Sequence, residues 1–164
     1  TSQMEISSTS EAKISSPGET PSSLTQTPDK VVEVARSFLG TRFRHQGRNE
    51  AGIDCCGLVI LVARKLGLST YDTTDYDRRT SGDMFVNHFR DAGLLEIAIR
   101  DIKAGDIIIT TDANFPCHCG IASMKHGELH MVHAYLVRKM VVEEPLKFWM
   151  PKVIAAFRFP ANEE

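Results

Sequence analysis

Asp54-Cys55-Cys56-Gly57 opens onto Leu58-Val59-Ile60-Leu61-Val62-Ala63, and that join constrains the fold more than any other stretch of the chain. The apolar residues cover nearly every side of two helical turns, so the helix they predict must lie inside the protein. Asp54 suits its N-cap, Arg64 and Lys65 suit the negative end of its dipole, and Gly67 suits its stop. Such a helix needs other elements packed around it. With 164 residues, 42% of them hydrophobic, the chain can close one core and cannot form two large domains.

Upstream, Thr27-Pro28-Asp29 supplies a capping Thr, a Pro fit for the first helical position and an early acid, and predicts a helix start. Val31, Val34, Ala35, Phe38 and Leu39 then form its inner face, with Gly40 as cap. Thr41 to Ile53 reads as a polar loop. A third helix is expected from Gly82 to Ala92, with Ser81 as cap, Met84, Phe85, Phe89 and Ala92 inward, and Gly93 as stop. Beyond it come short β-branched runs at 107–110, 120–123, 129–135, 140–142 and 153–159, with His118 beginning the second. Lys125-His126-Gly127-Glu128 is a turn candidate, and the runs read as an antiparallel meander. Helices first and strands after predict an α+β fold, N-terminal helices packed on a C-terminal antiparallel sheet.

The charge is uneven. Lys plus Arg is 19 and Asp plus Glu is 21, a net of -2, of which residues 1–29 hold -3 and the remainder +1. Seventeen of those 29 residues are Ser, Thr, Pro or Gly and none is aromatic, too little apolar surface to offset ordering entropy. Residues 1–27 therefore read as a disordered tail or linker, and residues 28–164 as the folded domain. No strong basic field exists to hold nucleic acid. No apolar run approaches the roughly 20 residues that span a bilayer, and no basic segment followed by an apolar stretch marks a signal peptide, so stable membrane insertion is not expected.

A cysteine in the first turn of a buried helix sees the helix dipole and unpaired backbone N–H groups, which favour thiolate over thiol. Cys55 holds that place, and the same N–H groups can receive the oxyanion formed when a thiolate attacks a carbonyl. His118 and His133 stand on neighbouring predicted strands, so one imidazole can serve as base toward Cys55 while the other fixes its tautomer. A lone buried Cys or strand His is more often an inert core group, and the weight rests on finding all three in one topology. His130 faces away from His133 by strand parity and is expected at the surface. Cys55, Cys56, Cys117, Cys119 and the histidines are all zinc ligand types, but their spacing argues against a metal site. If His118 faces a site, Cys117 and Cys119 face the core. Four reduced thiols, no metal and no cofactor are expected.

Gly40-Thr41-Arg42-Phe43-Arg44-His45-Gln46-Gly47, Asp54-Cys55-Cys56-Gly57-Leu58-Val59, His118-Cys119-Gly120-Ile121, His133-Ala134-Tyr135 and the Trp149 to Pro160 stretch ending Ala156-Phe157-Arg158-Phe159-Pro160 occur in an order that resembles one family. The chain is similar to the NlpC-type cell-wall endopeptidases, the bacterial branch of the papain-like fold, and in particular to their phage-tail and gene-transfer-agent members. The resemblance implies hydrolysis of an amide in peptidoglycan stem peptides, typically D-γ-glutamyl to diaminopimelate, with Cys55 as nucleophile, His118 as general base and His133 as orienting residue. It implies substrate contacts near Asp54, Cys56, Phe43 and Gln46, Gln46 also being a candidate second oxyanion donor. It further implies a phage tail or secretion apparatus as partner, and action on the bacterial wall or periplasm after delivery. Two positions depart: Phe43 stands where many relatives carry Tyr, and Cys56 where many carry Ser. Two rival readings remain open, namely acyl transfer or deamidation on the same triad and a non-catalytic phage-tail module.

Overall fold

The computed structural model describes residues 19–68, 82–112 and 117–160. Residues 1–18 of the expected tail and the Ser81 cap lie outside the described residues. Three helices, α1 (Glu19–Arg36), α2 (Cys55–Lys65) and α3 (Gly82–Asp91), accompany strands β1 (Arg48–Asn49), β2 (Gly52–Ile53), β3 (Leu95–Ile97), β4 (Ile107–Thr110), β5 (His118–Lys125), β6 (Glu128–Tyr135), β7 (Met140–Pro145) and β8 (Val153–Arg158). Among the described residues, no helix is long and apolar enough to cross a membrane.

The six strands β3 to β8 form one sheet in the order β3-β8-β4-β5-β6-β7, with every neighbouring pair antiparallel. Four of the five runs predicted as a meander form one, β4 to β7, and the fifth, β8, does not continue it. His126 and Gly127 both adopt left-handed φ, at 55° and 79°, which turns β5 tightly into β6 with the twist a hairpin requires. β8 returns to pair with the far side of β4, and β3 extends that edge. Leu95-Glu96-Ile97 alternates over three residues only, fewer than the four to eight that make a strand signal, so β3 gives none in the sequence. The expected 41–53 loop holds the β1–β2 hairpin, and bridges from Arg42 to Met140 and Phe43 to Ile53 bind it to the sheet edge and to the entry of α2.

Both faces of the sheet are covered. Ile107, Ile109, Cys119, Ile121, Val132 and Phe157 meet Leu58 and Val62 of α2 on one face. Ile108, Met131 and Ala156 meet Leu146 and Trp149, carried by the helical turns after β7, on the other. α2 is therefore enclosed, as its unbroken apolar run requires. Gly67 at φ +69° ends it, with the Leu68 N–H returning to the Ala63 carbonyl at 2.9 Å. Phe89 of α3 stacks on Phe157 with ring centres 5.7 Å apart, tying that helix to β8.

Four expectations change. α1 starts at Glu19 rather than at 28, and Pro28 lies inside it, forfeiting one backbone hydrogen bond where a helix start would have lost none. Leu39 is 42% exposed because α1 closes at Arg36 and the following turn carries it outward. Met84 is 53% exposed, since Phe85, Val86 and Phe89 fill the inner side of α3. His130 is buried rather than at the surface: facing away from His133 puts it on the helix-covered face, paired across the strand with Ser123.

Gly57 explains part of the Asp-Cys-Cys-Gly block. A Cβ there would collide with the Gly47 carbonyl oxygen, so the loop can lie against the first turn of α2 only if residue 57 has no side chain. Gly57→Ala should lower the unfolding free energy by about 1–3 kcal/mol through overpacking. Urea denaturation checks this, and an unchanged midpoint would show that the loop is not pinned there.

Candidate active site

Cys55 is the first residue of α2 and is partly exposed. Asp54 caps the helix in extended geometry, its Oδ1 accepting from the Gly57 N–H at 2.7 Å. Oδ2 accepts from the Gln46 N–H at 2.7 Å, and Arg48 Nη1 approaches Oδ1 at 3.4 Å. With its side chain 3% exposed, the Asp54 carboxylate is turned to the protein and fixes the Gln46 loop against the helix start. Gln46 sits at φ +58° and is half-buried. Phe43 is likewise partly buried and packs on the main core, while Cys56 is buried within it. Of the four expected substrate contacts, Asp54 and Cys56 are thus interior groups.

The surroundings of the nucleophile candidate are richer in sulfur than strand parity suggested. Cys119 faces the core, as expected, but α2 begins over the start of β5, so the Sγ atoms of Cys55, Cys56 and Cys119 all lie within 4.8 Å of one another. Hydrogen bonds from the Cys119 and then the Cys56 thiol hold Cys55 well below the ordinary cysteine range, against burial, and His118 adds a smaller pull in the same direction. Burial, followed by donation to Cys55 and Cys56, pushes Cys119 well up. Cys56 also ends well above its ordinary value: the Cys119 hydrogen bond lowers it, but donation to Cys55 and burial outweigh that. Two protonated thiols thus donate to one thiolate. Cys117, half-buried, is raised to about 11 by desolvation.

His118 and His133 meet as the paired strands allow, with His118 Nε2 and His133 Nδ1 2.6 Å apart. His133 Nε2 lies 3.0 Å from Glu144 Oε1. Trp149 stacks on the His118 ring at 5.3 Å, meets the His133 ring edge-on at 5.2 Å, and donates from Nε1 to Glu144 Oε1 at 3.3 Å. Arg138 Nε donates to Glu144 Oε2 at 3.1 Å. The His133 hydrogen bond, against burial, holds the Glu144 carboxyl down at about 2. Burial keeps His133 below the usual histidine value despite Glu144.

These contacts determine where the protons sit. An ionised carboxylate only accepts, so His133 must carry its proton on Nε2. A neutral His133 then has a bare Nδ1, which accepts from His118 Nε2–H. With Nε2 engaged by His133, His118 has Nδ1 left for the Cys55 side, where a hydrogen bond from the imidazole to the sulfur helps hold Cys55 as thiolate. Glu144 and Trp149 were missed in the sequence. Glu144 lies two residues along β7 from Val142, the cross-strand partner of His133, so only the register reveals it as a diagonal neighbour.

Two outcomes follow. Iodoacetamide should label Cys55 ahead of Cys117 in the native protein, with the rate levelling off below the usual cysteine pH. Cys119→Ala should move that plateau upward, and an unmoved plateau would remove the thiol donors from the account. Glu144 has a depressed folded-state pKa, so its pairing contributes stability above about pH 4.3 that is lost as pH falls toward about 2. The difference in denaturation midpoint between wild type and Glu144→Gln should therefore shrink from pH 6 to pH 3, and a constant difference would contradict it.

Comparison with known proteins places the fold and the family. No curated protein matches the chain significantly in sequence. The fold resembles the NlpC/p60 domain of the peptidoglycan hydrolase SagA, with a TM-score of 0.56 at 16% identity, covering 79% of this chain and 97% of that one. It also resembles an NlpC/P60 family protein from Bacillus cereus, with a TM-score of 0.60 at 18% identity, covering 80% of this chain but 40% of that one. An N-acetylmuramoyl-L-alanine amidase from Bacteroides uniformis gives a TM-score of 0.59 at 16% identity, covering 82% of this chain and 99% of the other. The sequence profile of the NlpC/P60 family matches residues 40–158, from the turn after α1 to the end of β8 and through every residue of the candidate site. The chain belongs to the NlpC/P60 family.

Proposed function

We propose that this chain is a cysteine peptidase that hydrolyses an amide bond in the stem peptides of bacterial peptidoglycan. The observation that carries the reading is the unbroken line from Glu144 through His133 and His118 to the Cys55 sulfur. In this reading the Cys55 thiolate attacks the amide carbon, and the tetrahedral oxyanion accepts from the Cys55 N–H at the positive end of α2. His118 in its charged form protonates the leaving amine, which departs as the C–N bond breaks. The same imidazole then takes a proton from water, whose oxygen attacks the thioester and releases the acid and the thiolate. His133 and Glu144 act through His118 as positioning residues, keeping its Nδ1 edge toward the sulfur.

Family membership supports a wall substrate, and two of the similar structures are described as a peptidoglycan hydrolase and an N-acetylmuramoyl-L-alanine amidase. The γ-glutamyl-to-diaminopimelate bond and delivery by a phage tail or secretion device belong to the same proposal, and rest on the sequence motifs.

Mass spectrometry of muropeptides digested by the chain should reveal new amino termini at diaminopimelate. New amino termini at L-alanine would make it an amidase instead, and a mass gain from added amine would make it a transferase. Cys55→Ala should reduce turnover by about 10⁴-fold or more with the fold intact. Glu144→Gln should lower kcat by roughly 10²-fold with KM little changed, the signature of a group acting on proton transfer rather than binding. A Glu144→Gln variant with full kcat would remove it from the relay.

A further inference from the structure

We propose that Cys55, Cys56 and Cys119 form a binding site for a thiophilic d¹⁰ cation of the zinc class, with all three sulfurs as ligands. Sequence spacing argued against such a site because it considered ligands within one segment. The fold brings together two adjacent residues of α2 and one of β5, and among the described residues these three sulfurs form the group of metal-ligating atoms that converges within 4.8 Å. A tetrahedral zinc site with Zn–S of about 2.3 Å spaces its sulfurs about 3.8 Å apart, so the cluster needs to contract by no more than about 1 Å.

The donor set selects the cation. Three soft sulfurs favour zinc-class and monovalent copper ions over the oxygen-seeking magnesium and calcium. Cys55 is partly exposed while Cys56 and Cys119 are buried, so an ion enters from the Cys55 side and is then enclosed. His118 lies beside the Cys55 sulfur but outside this convergent group, so the fourth position of a tetrahedral ion falls to water. Binding balances as follows: the hydrated cation loses water molecules, Cys55 coordinates as thiolate, and the Cys56 and Cys119 thiols release their protons to solvent as their S–M bonds form. No oxidant or reductant is required. The bound ion takes the Cys55 sulfur, so metal occupancy and nucleophilic attack exclude each other.

The test uses the full reduced chain under anaerobic conditions, with Cd²⁺ as the spectroscopic probe and Zn²⁺ competing against a chelator. One Cd²⁺ per chain should bind with a sulfur-to-metal charge-transfer band of the strength of three thiolates, and Zn²⁺ should displace it. Cys56→Ser and Cys119→Ala should each weaken binding beyond the roughly 10- to 100-fold that loss of a supporting hydrogen bond costs, and reduce the band. Cys117→Ala should leave both unchanged. Circular dichroism of each variant separates lost ligation from lost fold, and Cys56→Ser, which keeps size and polarity, serves if Cys119→Ala unfolds. A band of one-thiolate strength, affinity unaffected in folded Cys56→Ser, or no stoichiometric binding would overturn the proposal. The readout is metal binding, so its failure leaves the peptidase reading standing, and failure of the muropeptide digest leaves this one standing.

Discussion

A carboxylate that can only accept hydrogen bonds sets the chemistry of this site. Glu144 stays ionised because His133, Trp149 and Arg138 all donate to it, and its charge obliges His133 to place a proton on Nε2. One obligatory proton then fixes the next: His133 Nδ1 accepts from His118 Nε2, and His118 Nδ1 is left for the hydrogen bond to the sulfur. Each link is short and largely buried, where a misplaced proton would leave a polar group unpaired at a cost of about 1–3 kcal/mol. The tautomers are thus consequences of packing rather than of a balance with solvent.

The fold serves this relay by bringing three elements to one end of the sheet. α2 is enclosed by core on the helix-covered face, which holds its first turn and Cys55 in place. β5 and β6 run side by side and present His118 and His133 on the opposite face, under Trp149. Because α2 starts over the beginning of β5, the Cys55 sulfur is reached both by His118 and by Cys119, which point to opposite sides of the same strand. The thiolate therefore has sulfur donors beneath it and an imidazole beside it, and the same proximity makes the sulfur cluster suited to a metal.

Local signals made much of this legible in the sequence. Asp54 as cap, Cys55 at the helix start, Gly67 as stop and the Lys125–Glu128 turn each act within a few residues of their own position, and α2 and the β5–β6 hairpin appear where those signals place them. What escaped depended on register or on how elements stack. Glu144 is an unremarkable acid until the β6–β7 pairing sets it diagonal to His133. Parity along β5 separated Cys119 from His118 correctly, yet could not tell that α2 would place Cys55 at the point where both faces are within reach. The early start of α1 was hidden by a Ser, Thr and Pro composition that argues against order and by a proline that imitates a helix start.

The most direct measurement is nitrogen NMR of the histidine rings in the unliganded, metal-free protein near neutral pH, assigned through His118 and His133 variants. The account predicts neutral His133 protonated on Nε2, and His118 with its Nε2 proton shared toward His133. A Nδ1-protonated tautomer at His133, or a doubly protonated His133 under those conditions, would contradict it.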